Sequence, residues 1–472
     1  MERPPAARPL EHGVFANRTL NLRSVAAIGY DMDYTLIHYR TDEWERAAFE
    51  HARRVLGASA WPVDDLVFDP ADHIQGLVID LDLGNLVKPS RFGYVIQAHH
   101  GTRPLGFDEL RTAYAGTVVD LAEPRWRFIN TLFSLSEASL YAQLVDRLDD
   151  GSVPGVLGYD ELYQAVSGAL DQSHTEGALK ASIIADPDRF VELDDGVAQT
   201  LLDQRAAGKK LLLITNSDWA YTQPMMSWCF DRLVPSGSWR DLFDVVVVAA
   251  AKPRFFIGDE PAFRVVDEAQ GLLLPHFGAF ETGAVYHGGS ARMVETSLGL
   301  TGDEILYVGD HLFGDVHVSK SALRWRTALI MRELEAELAA ADRFSADEEQ
   351  LRELMAQKAA LEDEVAVARL DRIHARAAGD TTRAKARQRD IERAGARLRS
   401  LDDRIAPLAR ASSELGNPTW GPLMRAGSDK SLFARQVERH ADIYTSRVSN
   451  LGRRTPFAYL RAARTSLPHD AT

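Results

Sequence analysis

Val25-Ala-Ala-Ile-Gly-Tyr30-Asp31-Met-Asp33-Tyr-Thr35 is a short apolar run that stops at two carboxylates. A run of that length reads as a buried strand delivering polar residues at its C-terminal end. Three more segments repeat the design: Lys210-Leu-Leu-Leu-Ile-Thr-Asn-Ser-Asp218, Asp244-Val-Val-Val-Val-Ala-Ala-Ala-Lys252 and Glu304-Ile-Leu-Tyr-Val-Gly-Asp310. Strands of this kind separated by helical stretches predict an α/β fold with a Rossmann-like parallel sheet as its core. Ligands of such sheets sit beyond the carboxyl ends of the strands, which is where all four segments place their polar residues.

The interval between the first and second of these strands is far longer than one crossover needs, so residues 41–186 are expected to form an inserted α/β cap. The core is then discontinuous, 21–40 with 187–330. Within the cap, Gln75–Asp80 and Phe92–Gln97 read as strands and Phe128–Leu148 as a helix. From about Glu333 the composition turns to Ala, Glu, Arg and Leu. Leu351, Leu354, Leu361 and Val365 make one apolar stripe, and Ile391, Leu398, Leu401, Ile405 and Leu408 another. The expectation is a helical hairpin over 331–412, broken near Gly379-Asp380, whose acidic and basic arms pair antiparallel. Residues 413–472 are expected to be a helical segment packing on the core.

At 472 residues the chain is long enough for several cores, and with Cys229 as its only cysteine it can form no intrachain disulfide. Cys229 reads as core. The formal net charge of −14 argues against nucleic acid as a partner. No stretch reads as a secretory signal or a membrane span, so a cytoplasmic protein without membrane contact is expected.

The chemistry rests on the strand ends. Of two carboxylates placed like Asp31 and Asp33, one can attack phosphorus and form an acyl phosphate. The other, held protonated, gives its proton to the departing ester oxygen and later takes one from water. Asp31 is the expected nucleophile and Asp33 the acid and base. An aspartate pair after a strand is more often a turn or a cap, and Asp80-Leu-Asp82 is read that way, because Gly84 stands where a threonine is needed and Gly84-Asn85 reads as a hairpin turn. The other three strand ends decide for chemistry in the case of Asp31. Thr215 and Asn216 offer a hydroxyl, an amide and backbone N–H groups for phosphate oxygens, and Lys252 offers a cation to the phosphoryl group. Gly309–Asp315 brings two further carboxylates. Magnesium, which prefers hard oxygens and retained water, is expected on Asp31, a backbone carbonyl at Asp33, and Asp310, with Asp315 orienting that shell.

The order D-x-D-x-T, Thr, Lys, G-D-x-x-x-x-D resembles the haloacid dehalogenase superfamily. More narrowly, Val14–Arg18, Gly29–Leu36, Gly84–Lys88, Asn130–Phe133, Thr215–Asp218, His287–Ser290, Gly309–Asp315 and Ser431–Ala434 with Gln436 resemble the cytosolic purine 5′-nucleotidase family. That resemblance implies magnesium-dependent hydrolysis of nucleoside 5′-monophosphates, purine ones first, through an aspartyl-phosphate, in a homo-oligomer. It also implies substrate contacts. Asp171 lands on an acidic position that reads the base, His174 on a pocket histidine and Lys180 on a lysine near the phosphate. The chain departs from the family at Ser167, where an arginine is usual, and at Thr175, which replaces an aromatic; both bear on the purine preference. The alternatives are a phosphatase of another small phosphomonoester, such as a sugar phosphate, and a non-catalytic scaffold binding a partner through the hairpin. The intact set Asp31, Asp33, Lys252 and Asp310 speaks against the scaffold.

Overall fold

The computed structural model describes residues 9–463 apart from 176, 236 and 269, and excludes the side chains of 173–175 and 178. Its contacts divide the chain into two compact units, one running to Glu335 and resuming at Leu423, the other Ala336–Pro422.

The first unit is built on a ten-stranded sheet. The strands Ala27–Tyr30, Lys210–Ile214, Val245–Val248 and Ile305–Gly309 are the four apolar runs read from the sequence. They are buried on both faces, as continuous Val, Ile and Leu runs require, apart from Lys210 at one strand's start. All pair in parallel: Ala27–Tyr30 lies between Lys210–Ile214 and Ile305–Gly309, and Val245–Val248 follows Lys210–Ile214. From the first strand the chain builds outward on one side and then returns to build on the other. The strand order therefore reverses beside Ala27–Tyr30, and the crevice at such a reversal is where α/β sheets bind ligands. Asp31 and Asp310 end the two strands that flank it.

The sheet extends beyond the expected core. Val14–Ala16 pairs antiparallel with Ile443–Thr445, which runs parallel to Arg326–Ile330. The segment 413–472, expected to be helical, thus supplies a strand of the central sheet; its main helix is only Leu432–His440. A three-residue strand carries too little alternation to be read from sequence. Asp442 fixes this addition, pairing with Lys320 and with Arg326 at 3.0 Å. At the other edge Ala262–Asp267 and Leu272–His276 form an antiparallel hairpin.

The cap carries an antiparallel five-stranded sheet, including Val78–Asp80, Asn85–Pro89 and Val95–His100, and the helices Leu135–Asp149 and Tyr159–Thr175. The Asp80-Leu-Asp82 segment is indeed a hairpin, turning at Gly84 with φ +65°. Asp80 is structural: Arg125 grips it through Nε and Nη2 at 2.7 and 2.6 Å, and the Tyr114 hydroxyl donates to it at 2.9 Å. Cys229 is buried.

The second unit is made of the helices Leu334–Ala377, which begins in the first unit, and Thr381–Ser413, broken where the sequence places the turn. Leu354, Leu361, Val365 and Ile405 are buried between the arms. Lys358 meets Asp402 at 2.7 Å, and Asp371 pairs with Arg383 and Arg387, so the arms do neutralise each other. No helix among the described residues is long and apolar enough to cross a membrane.

Candidate active site

Each residue reaches the crevice because its strand ends there. The first turn after Ala27–Tyr30 is held by Tyr34 at φ +52°. Left-handed backbone at a bulky residue is uncommon and marks a constrained loop. After Val245–Val248 the same holds for Ala249 (φ +47°) and Ala251 (φ +56°), which bring Lys252 inward. Asn216 clamps that loop: its Oδ1 accepts from Lys252 N at 2.7 Å and its Nδ2 donates to Lys252 O at 3.2 Å. The sequence reading gave the Asn216 amide to phosphate; the structure uses it to set the lysine. After Ile305–Gly309 the chain enters a π-helical turn, Leu312–His317, a distortion frequent at functional sites. Gly309 permits it, because a Cβ there would meet Asp315 Oδ2 at 2.5 Å.

Lys252 Nζ stands 2.8 Å from Asp31 Oδ2 and 2.8 Å from Asp315 Oδ1, with its side chain 3 % exposed. It also donates to Tyr307 Oη at 3.0 Å, and that hydroxyl donates on to Ile214 O. Burial pulls the lysine pKa down, but Asp31 and Asp315 outweigh it and the net direction is upward. Asp31, Asp310 and Asp315 each offer an oxygen within 4.8 Å of the others. Three carboxylates around one ammonium leave a negative surplus. Burial, and then the neighbouring carboxylates, push Asp310 well above its usual range; Asp31 rises to about 7, from burial first, with Lys252 opposing and Asp315 adding. A compact set of hard oxygens with uncompensated charge fits a divalent cation such as magnesium.

Asp33 lines the same cavity but lies outside the three-carboxylate cluster. Its carboxylate accepts from Tyr39 Oη and from Ser217 Oγ at 2.7 Å. Thr215 is fully buried, and its Oγ1 accepts from Ser217 N at 3.0 Å. Lys180 donates to Ser217 Oγ at 3.4 Å and lies over the Tyr221 ring at 4.9 Å. Thr131, from the cap, reaches Asp310 Oδ2 at 3.5 Å. Asp31, Asp33, Thr131, Lys180, Thr215, Asn216, Ser217, Lys252, Asp310 and Asp315 line one cavity of about 720 Å³, together with Phe133, Glu137, Tyr163, Ser167 and Asp171. His174 falls outside the described side chains.

Tyr307, Ser217, Tyr39 and Glu137 were not found in the sequence as site residues. The one signal was Tyr307 itself, a hydroxyl inside an otherwise apolar strand that needs a buried partner.

A 5′-nucleotidase domain-containing protein 2 from Homo sapiens is 29% identical over 475 residues, covering 97% of this chain and 85% of the relative. A 5′-nucleotidase domain-containing protein from Dictyostelium discoideum is 28% identical over 469 residues, covering 97% of this chain and 74% of its own length. A family model described as 5′ nucleotidase family matches residues 14–472: the chain belongs to the 5′-nucleotidase family and is a phosphoric monoester hydrolase.

Proposed function

We propose that the protein is a magnesium-dependent 5′-nucleotidase that cleaves nucleoside 5′-monophosphates, purine ones among them, through an aspartyl-phosphate on Asp31. The observation that carries this reading is Lys252 Nζ held at 2.8 Å from Asp31 beside the three-carboxylate cluster.

Met32 N–H donates to Asp31 Oδ1 at 2.8 Å and Lys252 holds Oδ2, so the carboxylate is oriented before substrate arrives. An Asp31 oxygen attacks phosphorus as the P–O bond to the nucleoside breaks, and Asp33 donates its proton to the departing oxygen. Water then attacks the acyl phosphate while Asp33 takes its proton, which returns Asp31 and releases phosphate. Thr215 and Lys252 stabilise the transferring oxygens. Magnesium, held by Asp31, the Asp33 carbonyl and Asp310 with Asp315 bracing that shell, would neutralise phosphoryl charge.

The test is phosphate release from nucleoside monophosphates and p-nitrophenyl phosphate, in millimolar magnesium and in chelator. Activity is expected only with the metal, and Asp31→Asn is expected to lower it by at least about a thousandfold. Full activity in chelator, or in Asp31→Asn, would refute the reading.

A further inference from the structure

Asp33 must serve the departing ester oxygen and then the attacking water from one position, yet a carboxylate on a loop turns about two torsions unless it is held. Both of its oxygens are held. Ser217 Oγ donates to Oδ2 at 2.7 Å, and Lys180 Nζ donates to Ser217 Oγ at 3.4 Å, which leaves the serine its own hydrogen for Asp33. Ser217 and Lys180 line the catalytic cavity, so Oδ2 is held from the cavity side. Oδ1 is held from behind. Tyr39 Oη donates to it at 2.5 Å, and Tyr221 Oη lies 2.9 Å from Tyr39 Oη. A carboxylate only accepts, so Tyr39 spends its single hydrogen on Asp33 and takes one from Tyr221. The result is a one-way chain from Tyr221 through Tyr39 to Asp33, and neither tyrosine lines the catalytic cavity.

Regular elements aim both hydroxyls. Tyr39 lies in the strand His38–Tyr39, which follows the catalytic loop and pairs antiparallel with Val191–Glu192. Tyr221 lies in the first turn of the helix Trp219–Phe230, where its N–H donates to the capping Asp218 at 2.9 Å. Packing accounts for the Tyr39 ring, whose centroid stands 4.4 Å from that of Trp44 and 5.3 Å from that of Tyr34. A phenylalanine would fill the same space. Packing does not account for the two hydroxyls, which belong to side chains 1 % and 2 % exposed. Buried O–H groups cost free energy unless they are hydrogen-bonded, and the bonds that satisfy this pair lead to Asp33.

We propose that Tyr39, and Tyr221 through it, are positioning residues for the acid and base of this reaction: they pin Oδ1 of Asp33 so that Oδ2 stays turned to the cavity. There Oδ2 hands its proton to the departing oxygen and takes one back from water, and the Ser217 hydroxyl rotates aside while Oδ2 carries the proton. The tyrosines exchange no proton themselves. This rests on the nucleotidase reading above.

The experiment compares a bond cleavage that needs the Asp33 proton with one that does not. A nucleoside 5′-oxygen leaves with a proton and p-nitrophenolate leaves without one. In the full chain with magnesium, rapid-quench single turnovers measure nucleoside release from the ribonucleoside 5′-monophosphate cleaved fastest, and the p-nitrophenol burst from p-nitrophenyl phosphate. Tyr39→Phe is expected to slow nucleoside release by about tenfold to a hundredfold, the scale of a misplaced catalytic group, and the burst by less than about threefold. Tyr221→Phe, which leaves Tyr39 in place but removes the donor that fixes its direction, is expected to show the same contrast at smaller size, and it carries the test should Tyr39→Phe fold poorly. The double variant is expected to lose no more than Tyr39→Phe alone, because the chain is already cut. Equal losses with both esters in the variants, or unchanged nucleoside release in both, would overturn the assignment while the nucleotidase reading stands. A native chain that releases no nucleoside refutes that reading, and the assignment with it.

Discussion

A lysine buried among apolar groups loses its charge, yet Lys252 keeps its own because Asp31 and Asp315 flank it at 2.8 Å each. Removing it leaves two buried carboxylates facing each other. Lys252→Met, similar in length and uncharged, is expected to cut kcat by about 10²–10³-fold and to lower Tm, read by steady-state kinetics and a thermal melt. Near-normal kcat would mean that the ammonium serves packing and not chemistry. The gathering of Asp31, Thr215, Lys252 and Asp310 was legible because each follows an apolar run, and parallel strands bring such ends to one edge; Asp315 follows in the turn after Asp310. Tyr307 and Ser217 were not legible. Their roles arise from who lies across the crevice, Lys252 in one case and Asp33 in the other, and no local pattern carries that.

Elements were legible in proportion to their length. The four core strands, the cap hairpin at Gly84 and the two long helices all have patterns several residues deep, whereas Ile443–Thr445 joins the sheet through long-range pairing with Arg326–Ile330. The helical hairpin offers a test at this scale. Lys358 and Asp402 lie 2.7 Å apart across the arms, so the chain can be closed at that level by a short flexible linker replacing residues 359–401. Leu354 and Ile405 remain to pack the stump. The shortened protein is expected to fold cooperatively and release phosphate from p-nitrophenyl phosphate, since every residue lining the catalytic cavity lies outside the deleted stretch. A soluble, folded but inactive product would show that the hairpin takes part in catalysis.

Across the whole molecule, two buried groups set opposite slopes of stability against pH. Burial first, then Arg332 and Arg447, lowers His38 from 6.5 to about 3. The unfolded chain therefore binds that proton more readily, and stability contributed by neutral His38 is lost as pH falls from about 6.5 towards 3. Burial raises Glu45 from 4.5 to about 8. Here the folded chain holds the proton, so stability is complete below about 4.5 and is lost as pH rises through 8. His38→Phe is expected to flatten the acid limb of a Tm–pH curve and Glu45→Gln the alkaline limb; limbs unchanged in these variants would refute the assignments. The central claim remains the covalent step at Asp31. Asp33→Asn with p-nitrophenyl phosphate isolates it, because that leaving group needs no proton while breakdown of the acyl phosphate still needs a base. Acid-quenched peptide mass spectrometry is expected to find a phosphoryl group on the peptide carrying Asp31, after a burst of one p-nitrophenol per chain; steady release of p-nitrophenol with no phosphate on Asp31 would contradict the account.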